Sequence, residues 1–262
     1  MDALFSIDNV SFSVREKQIL SAISFACVPG EIVALVGNNG VGKSSLMRIC
    51  AGIWNSPTGT VKVLGQDVHA MVASQRAALI TWCPGHLAGV SGISVLQFLS
   101  MAQESFRFSK GRLSPSRGEW EACRKALELF DAEHLAHRST DCLSSGEWQR
   151  VQLARAWVNS GRVLLLDEPS TALDLRHVEL LISRIRVFAS QNRAAVIFSS
   201  HDFSFVSALA HRVLVMHNGG IAFSGAPKDL LQENLAQVFG VRFQKGLSPQ
   251  LGESGESGES GV

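Results

Sequence analysis

Gly37-Asn38-Asn39-Gly40-Val41-Gly42-Lys43-Ser44 decides how the rest of this 262-residue chain is read. It follows the phosphate-binding loop pattern of Gly, four residues, then Gly-Lys-Ser/Thr. At ordinary amino-acid usage a chain of this length matches by chance about one time in a hundred. The flanks strengthen the reading. Ile32 to Val36 is an unbroken apolar run and predicts a buried strand, and Ser44 to Cys50 predicts the first turns of a helix. Gly37, Gly40 and Gly42 let backbone N–H groups turn inward around an oxyanion, and the helix start adds its positive dipole end. Lys43 supplies a point charge for the outer phosphates, and the Ser44 hydroxyl is a ligand for Mg2+. Read alone, the loop points to a nucleoside triphosphate and to no particular machine.

Composition removes several classes. Lys plus Arg number 24 against 23 Asp plus Glu, a formal net charge of +1, which argues against nonspecific nucleic-acid binding as the main task. No apolar run approaches the roughly 18 residues of a membrane span. The start, Met1-Asp2-Ala3-Leu4, lacks the basic and apolar regions of a secretory signal. Cys27, Cys50, Cys83, Cys123 and Cys142 are scattered, odd in number and without a Cys-x-x-Cys pair, as expected for reduced cysteines in a cytosolic protein.

Before the loop, residues 4 to 25 alternate as short strands around a hairpin turn at Arg15-Glu16-Lys17-Gln18, and Pro29-Gly30 is a second turn. With Val61 to Leu64 these predict a small antiparallel sheet beside the nucleotide site. From about 90 the character becomes helical. Ser94 to Ala102 and Trp120 to Phe130 carry apolar residues at helical spacing, and Phe106 to Gly118 reads as an exposed loop. Leu143-Ser144-Ser145-Gly146-Glu147 then opens a helix over Trp148 to Val158, with Ser144 or Ser145 as N-cap.

Arg162-Val163-Leu164-Leu165-Leu166-Asp167-Glu168-Pro169 predicts a strand buried on both faces of a parallel sheet, with two carboxylates at its C-terminal end. Asp167 suits Mg2+, usually through water, and Glu168 suits a general base that orients attacking water. Ala194 to Ser200 is another buried strand, ending at His201-Asp202. Val213 to Met216 and Ile221 to Phe223 form a hairpin around Asn218-Gly219-Gly220. Pro227 to Phe239 reads as helical, and Gly252 to Gly261 repeats Gly-Glu-Ser in a low-complexity tail. The fold class is α/β: a phosphate-loop NTPase core with a mostly parallel sheet, an antiparallel β subdomain and an inserted helical subdomain. The ATP-binding domain is expected over 1–245, with the helical insert at about 90–158, and the tail over 246–262.

The sum resembles the ATP-binding cassette (ABC) family over roughly residues 4 to 243. The resemblance rests on GNNGVGKSS (37–45), LSSGE (143–147), VLLLDEP (163–169), STALD (170–174) and SSHD (199–202). It implies that ATP is held by Gly37, Asn38, Asn39, Gly40, Val41, Gly42, Lys43, Ser44 and Ser45, with Mg2+ on Ser44 and Asp167. It implies that two copies, or this chain and a homologous cassette, sandwich two ATP molecules. The signature residues Ser144, Ser145, Gly146 and Glu147 would face the ATP of the other copy. Asp174 would lie at the seam, and Glu168 and His201 would complete the near site. Transmembrane permease subunits are the implied partners, and indirectly a substrate-binding protein. The implied location is the cytoplasmic face of the inner or plasma membrane. LSSGEWQRVQLARAW and NLAQVFGVRF (234–243) are similar to importers of vitamin B12, iron-siderophores or haem. A nucleotide-gated cassette with little turnover, or an exporter ATPase, is the competing reading.

Three positions depart from the family pattern. Gly85 stands where a Gln usually touches Mg2+ and relays to the membrane partner. Val14 aligns with the usual adenine-stacking aromatic, in a chain without Tyr, so aliphatic packing on adenine is expected. Ser145 replaces a signature Gly, adding either a clash or a hydrogen bond.

Overall fold

The computed structural model describes residues 3–56, 58–85, 87–103, 107–108, 110–159 and 161–230. The helix expected to run on to Phe239, the 245/246 boundary and the Gly-Glu-Ser tail fall outside that range. Pro227–Asp229 forms a single 3-10 turn.

Two sheets organise the described chain. The first is antiparallel, in the order β2-β1-β4-β5, built from β1 (Phe5–Val14), β2 (Lys17–Cys27), β4 (Thr58–Val63) and β5 (Gln66–Asp67). The β1–β2 turn is tighter than the four residues expected. Val14 pairs with Lys17, so Gln18 is already in the strand, and Arg15 takes a left-handed φ of 55° to close the hairpin.

The second sheet runs β10-β9-β3-β8-β7-β6. Its members are β3 (Ile32–Val36), β6 (Ile80–Cys83), β7 (Val163–Leu166), β8 (Ala195–Ser199), β9 (Arg212–His217) and β10 (Gly220–Gly225). All neighbours are parallel except the closing β9–β10 hairpin, whose turn uses Asn218 (φ 48°) and Gly219 (φ 77°). The strands β3, β7 and β8 are buried at every residue because both faces are covered. Alternate side chains feed two cores. Ile32, Ala34 and Val36 face one apolar cluster with Leu164 and Leu166, and Val33 and Leu35 face the other with Leu165 and Leu46.

Helices fill the connections. Lys43–Cys50 (α1) leaves the phosphate loop, Ala73–Leu79 (α2) precedes β6, and Leu175–Gln191 (α6) and Phe203–Leu209 (α7) flank β8. The helical insert contains Val95–Ser100 (α3), Arg117–Glu128 (α4) and Ser145–Trp157 (α5). Phe98, Leu99, Cys123, Leu127, Val151 and Leu153 join its core to the first apolar cluster. Each of the three helices starts at a serine in a capping box: Ser94 with Gln97, Ser116 with Glu119, and Ser144 with Glu147. Ser144, rather than Ser145, is therefore the cap.

The expected exposed loop from Phe106 to Gly118 holds only in part. Leu113 is 86% exposed, but Arg107 is 5% exposed and Gly118 already belongs to α4. Four cysteines are buried and all five are free, with Cys142 exposed.

Candidate functional site

The phosphate loop, the end of β7 and the residues after β8 converge on a cavity of about 460 Å³. Gly42, with φ +110°, turns the chain into α1, where a Cβ would meet Leu20 Cδ2 at 2.8 Å. Only a residue without a side chain fits that approach. The cavity wall at this end is formed by Asn39, Gly40, Gly42, Lys43, Ser44 and Ser45. Gly37, Asn38 and Val41 support it from behind. Gly37 abuts the Met216 backbone, Val41 packs on the second apolar cluster, and Val41 N–H donates to Asn38 O at 3.3 Å.

Lys43 is only 7% exposed. Its Nζ donates to Gly37 O at 2.7 Å and Asn38 O at 3.2 Å, folding the side chain back over its own loop. Burial lowers its pKa from the ordinary 10.5, against the opposing pull of Glu168 and Asp167. A phosphate entering the cavity would give this ammonium the counter-charge that two carbonyl dipoles supply only weakly.

The acidic end is built by strand register. Leu166 pairs with Phe198, which sets Asp167 beside Ser199. The Ser199 hydroxyl donates to Asp167 Oδ1 at 2.6 Å and accepts the Glu168 N–H at 2.8 Å. Asp167 is 6% exposed, so this bond satisfies a carboxylate that has lost most of its water. Glu168 has a left-handed φ of 50°. Its Oε2 lies 2.7 Å from His201 Nδ1, and both residues line the cavity. His201 therefore reaches the site by way of Glu168.

The oxygen donors Ser44 and Asp167 on one cavity, without a set of three His, Cys, Asp or Glu side chains among the described residues, fit Mg2+, which takes few protein ligands and keeps water and phosphate oxygens.

Ser144, Ser145, Gly146, Glu147 and Asp174 are not on this cavity. Ser145 faces a second cavity of about 430 Å³ with Trp148, Gln149 and Gln152. The two cavities share Gly85 and Thr171. Ser144 is occupied within its own cap: its N–H and hydroxyl both donate to Glu147 Oε2, at 2.8 and 2.9 Å. The Ser145 side chain makes no hydrogen bond among the described residues and lines the second cavity. Asp174 caps α6 through the His177 N–H at 2.9 Å.

Gly85 has a packing reason. A Cβ there would lie 2.8 Å from the Asp167 carbonyl oxygen, so the loop runs directly against the strand end that carries Asp167. That loop is also stitched to the segment before the signature. The Thr140 hydroxyl accepts from Val90 N–H at 3.0 Å and donates to Val90 O at 2.6 Å, Thr140 N–H donates to Ile93 O at 3.1 Å, and Trp148 Nε1–H donates to Leu87 O. Val14 is 48% exposed and does not line the site, whereas Ile19 does, so the aliphatic wall comes from β2. Sequence reasoning did not single out Ser199, Thr171 or Ile19. Of these, Ser199 carried a signal as a hydroxyl ending a fully apolar strand, and Thr171 lay within the quoted STALD stretch, whereas Ile19 carried none.

The chain matches the ABC transporter family over residues 20–171. It belongs to that family. It is 32% identical over 251 residues to the hemin import ATP-binding protein HmuV of Vibrio vulnificus, covering 93% of each chain. It is 35% identical over 233 residues to the protein of the same name from Myxococcus xanthus, covering 86% of this chain and 85% of that one. A putative metal-chelate type ABC transporter in an inward-facing conformation superposes with a TM-score of 0.77 at 26% identity, over 92% and 90% of the two chains. A dimeric bacterial ABC transporter cassette superposes at 0.76, over 86% of this chain and all of that one; at 20% identity it shows the fold alone. As a member of the family the protein binds ATP and couples its hydrolysis to transport. No helix among the described residues is long and apolar enough to cross a membrane.

Proposed function

We propose that this ABC ATPase drives import of a metal chelate of the haem, iron-siderophore or cobalamin class through a separate membrane permease. The observation that carries the catalytic part is the meeting of Lys43, Ser44, Asp167, Glu168 and His201 on one cavity. The ATP triphosphate is gripped by Gly37 to Ser45. Ser44 and Asp167 hold Mg2+, which when bound neutralises charge on the phosphate oxygens. Glu168 accepts a proton from the attacking water while its carboxylate is oriented by His201. Lys43 leaves its carbonyl partners for the outer phosphates.

The signature Ser144 to Glu147 and the seam residue Asp174 serve the ATP of a second cassette, consistent with their position off the first cavity. The working unit is thus a homodimer, or a pair with a homologous cassette, at the cytoplasmic face of the membrane. The loop at 85–95 and the helical insert over 95–140 meet the permease, which a substrate-binding protein supplies. The importing relatives named above support the substrate class.

Co-expression with a candidate permease and reconstitution into vesicles tests this. ATP hydrolysis that depends on Glu168 and rises with a haem-loaded binding protein is expected. Hydrolysis indifferent to every chelate of the class would overturn the import reading.

A further inference from the structure

The backbone of Glu168 is held from both sides by side chains of other elements. In front, its N–H donates to the Ser199 hydroxyl at 2.8 Å. Behind it stands Pro169, which has no N–H, so its carbonyl is the main-chain group by which that residue can be fixed. That carbonyl accepts Gln149 Nε2–H at 3.0 Å, in a bond buried from solvent. Gln149 is 5% exposed. It belongs to α5, one helical turn beyond the signature residue Ser145 and so on the same face. Gly146, in the first turn of α5, presses on the same segment: a Cβ there would meet Ala172 O at 3.0 Å. The turn that follows the base, 168–172, thus rests against the first two turns of the signature helix. Glu168 itself has a φ of 50°, which a non-glycine residue keeps only where its surroundings hold it.

We propose that Gln149 is a positioning residue for hydrolysis. It fixes the turn behind Glu168 to the signature helix, so that ATP seated on Ser144 to Glu147 by a second copy sets the base of this chain's own site. The inference rests on the reading of the signature as serving the ATP of a second cassette. Gln149 is not on the nucleotide cavity, so it acts through Glu168 and not on the nucleotide. A helix moves as a rigid body over two turns. A shift at the start of α5 therefore arrives at Pro169 as a change in the strained backbone of the neighbouring base.

Three measurements on the full chain test this: MgADP affinity, ATP-driven dimerisation in a Glu168→Gln background, and turnover per bound-nucleotide site. Gln149→Met keeps the volume and removes the donor. It is expected to bind MgADP and to dimerise as the parent does. Turnover per site should fall about tenfold with KM for ATP within about twofold, the mark of an interaction used in the transition state. A purely structural role would lower the number of folded sites and leave turnover per site unchanged, and that result overturns the inference. Absence of an ATP-driven dimer in Glu168→Gln alone overturns the reading of the signature and this inference with it. A normal dimer with wild-type turnover per site in Gln149→Met overturns the inference alone. If Gln149→Met fails to fold, Gln149→Asn, which stops the amide one carbon short of Pro169 O, replaces it, with an expected loss of about threefold.

Discussion

Glu168 and His201 form a single polar unit: His201 Nδ1 stands 2.7 Å from Glu168 Oε2 although 33 positions separate them in the chain. Parallel strand pairing brings the ends of β7 and β8 side by side, and each strand delivers one member. Glu168→Gln keeps the shape and removes the basic oxygen. It is expected to retain ATP binding and lower turnover by about 10²- to 10⁴-fold. Phosphate release alongside nucleotide binding checks this, and turnover near wild type would remove Glu168 from the role of base.

Ser199 joins the two carboxylate residues, accepting from the Glu168 backbone and donating to Asp167. Ser199→Ala leaves a buried carboxylate oxygen and a part-buried N–H short of one partner each. The expected cost is about 1–3 kcal/mol in denaturant melts, with a fall in turnover larger than any change in ATP affinity. Unchanged stability would mean that water replaces the hydroxyl.

Gly85 is held by contact, not by conformation. Gly85→Ala places a methyl 2.8 Å from the Asp167 carbonyl oxygen, and the loop or the strand end must move. A loss of about 1–3 kcal/mol is expected from this overpacking. The affinity for Mg2+, read from the metal dependence of ATP hydrolysis, should fall with it. Wild-type metal dependence would separate Gly85 from the Asp167 site.

Trp148 both packs against Phe98 in a tilted ring pair, with centroids 4.8 Å apart, and donates to Leu87 O. Trp148→Phe keeps an aromatic contact and deletes the donor. Hydrogen exchange should then speed up at 87–94 while α3 stays protected, with a stability loss of about 0.5–1.5 kcal/mol. Uniform acceleration across the insert would instead indicate lost packing.

Glu147 carries an acid-sensitive element. Hydrogen bonds from the Ser144 backbone and hydroxyl, with Arg138 nearby, hold its pKa below the ordinary 4.5. Since the folded value is the lower one, its contribution is complete above 4.5 and is lost as pH falls through the folded value. The start of α5 should therefore loosen in acid. Glu147→Gln should flatten this acid-side loss in exchange measurements at 144–148, and an unchanged profile would assign it to another carboxylate.

Much of this site was legible in the sequence because its parts are local. Lys43 and Ser44 sit in one contiguous loop, and four apolar residues announce β7 just before Asp167 and Glu168. What was not legible depends on strand order. Ser199 becomes a partner of Asp167 only because β8 lies beside β7 in parallel register, and Ile19 reaches the cavity only because β2 passes Gly42. The burial of Arg107 was hidden for a different reason. Phe106 and Phe108 flank it, but Ser105, Ser109 and Lys110 just beyond them, with the Gly and Pro that follow, made the stretch read as an exposed loop. Helix α6 escaped because its start, Asp174-Leu175, leaves a leucine 76% exposed and breaks the apolar stripe at the cap.

The left-handed backbone of Glu168 has a consequence for anyone evolving this protein. A glutamate at φ 50° costs on the order of 1 kcal/mol that glycine or asparagine would not incur. Selection for heat resistance alone would therefore drift toward those residues at 168 and yield a sturdier cassette that no longer turns over. A library screened only on melting temperature would discard the catalyst while appearing to improve the enzyme.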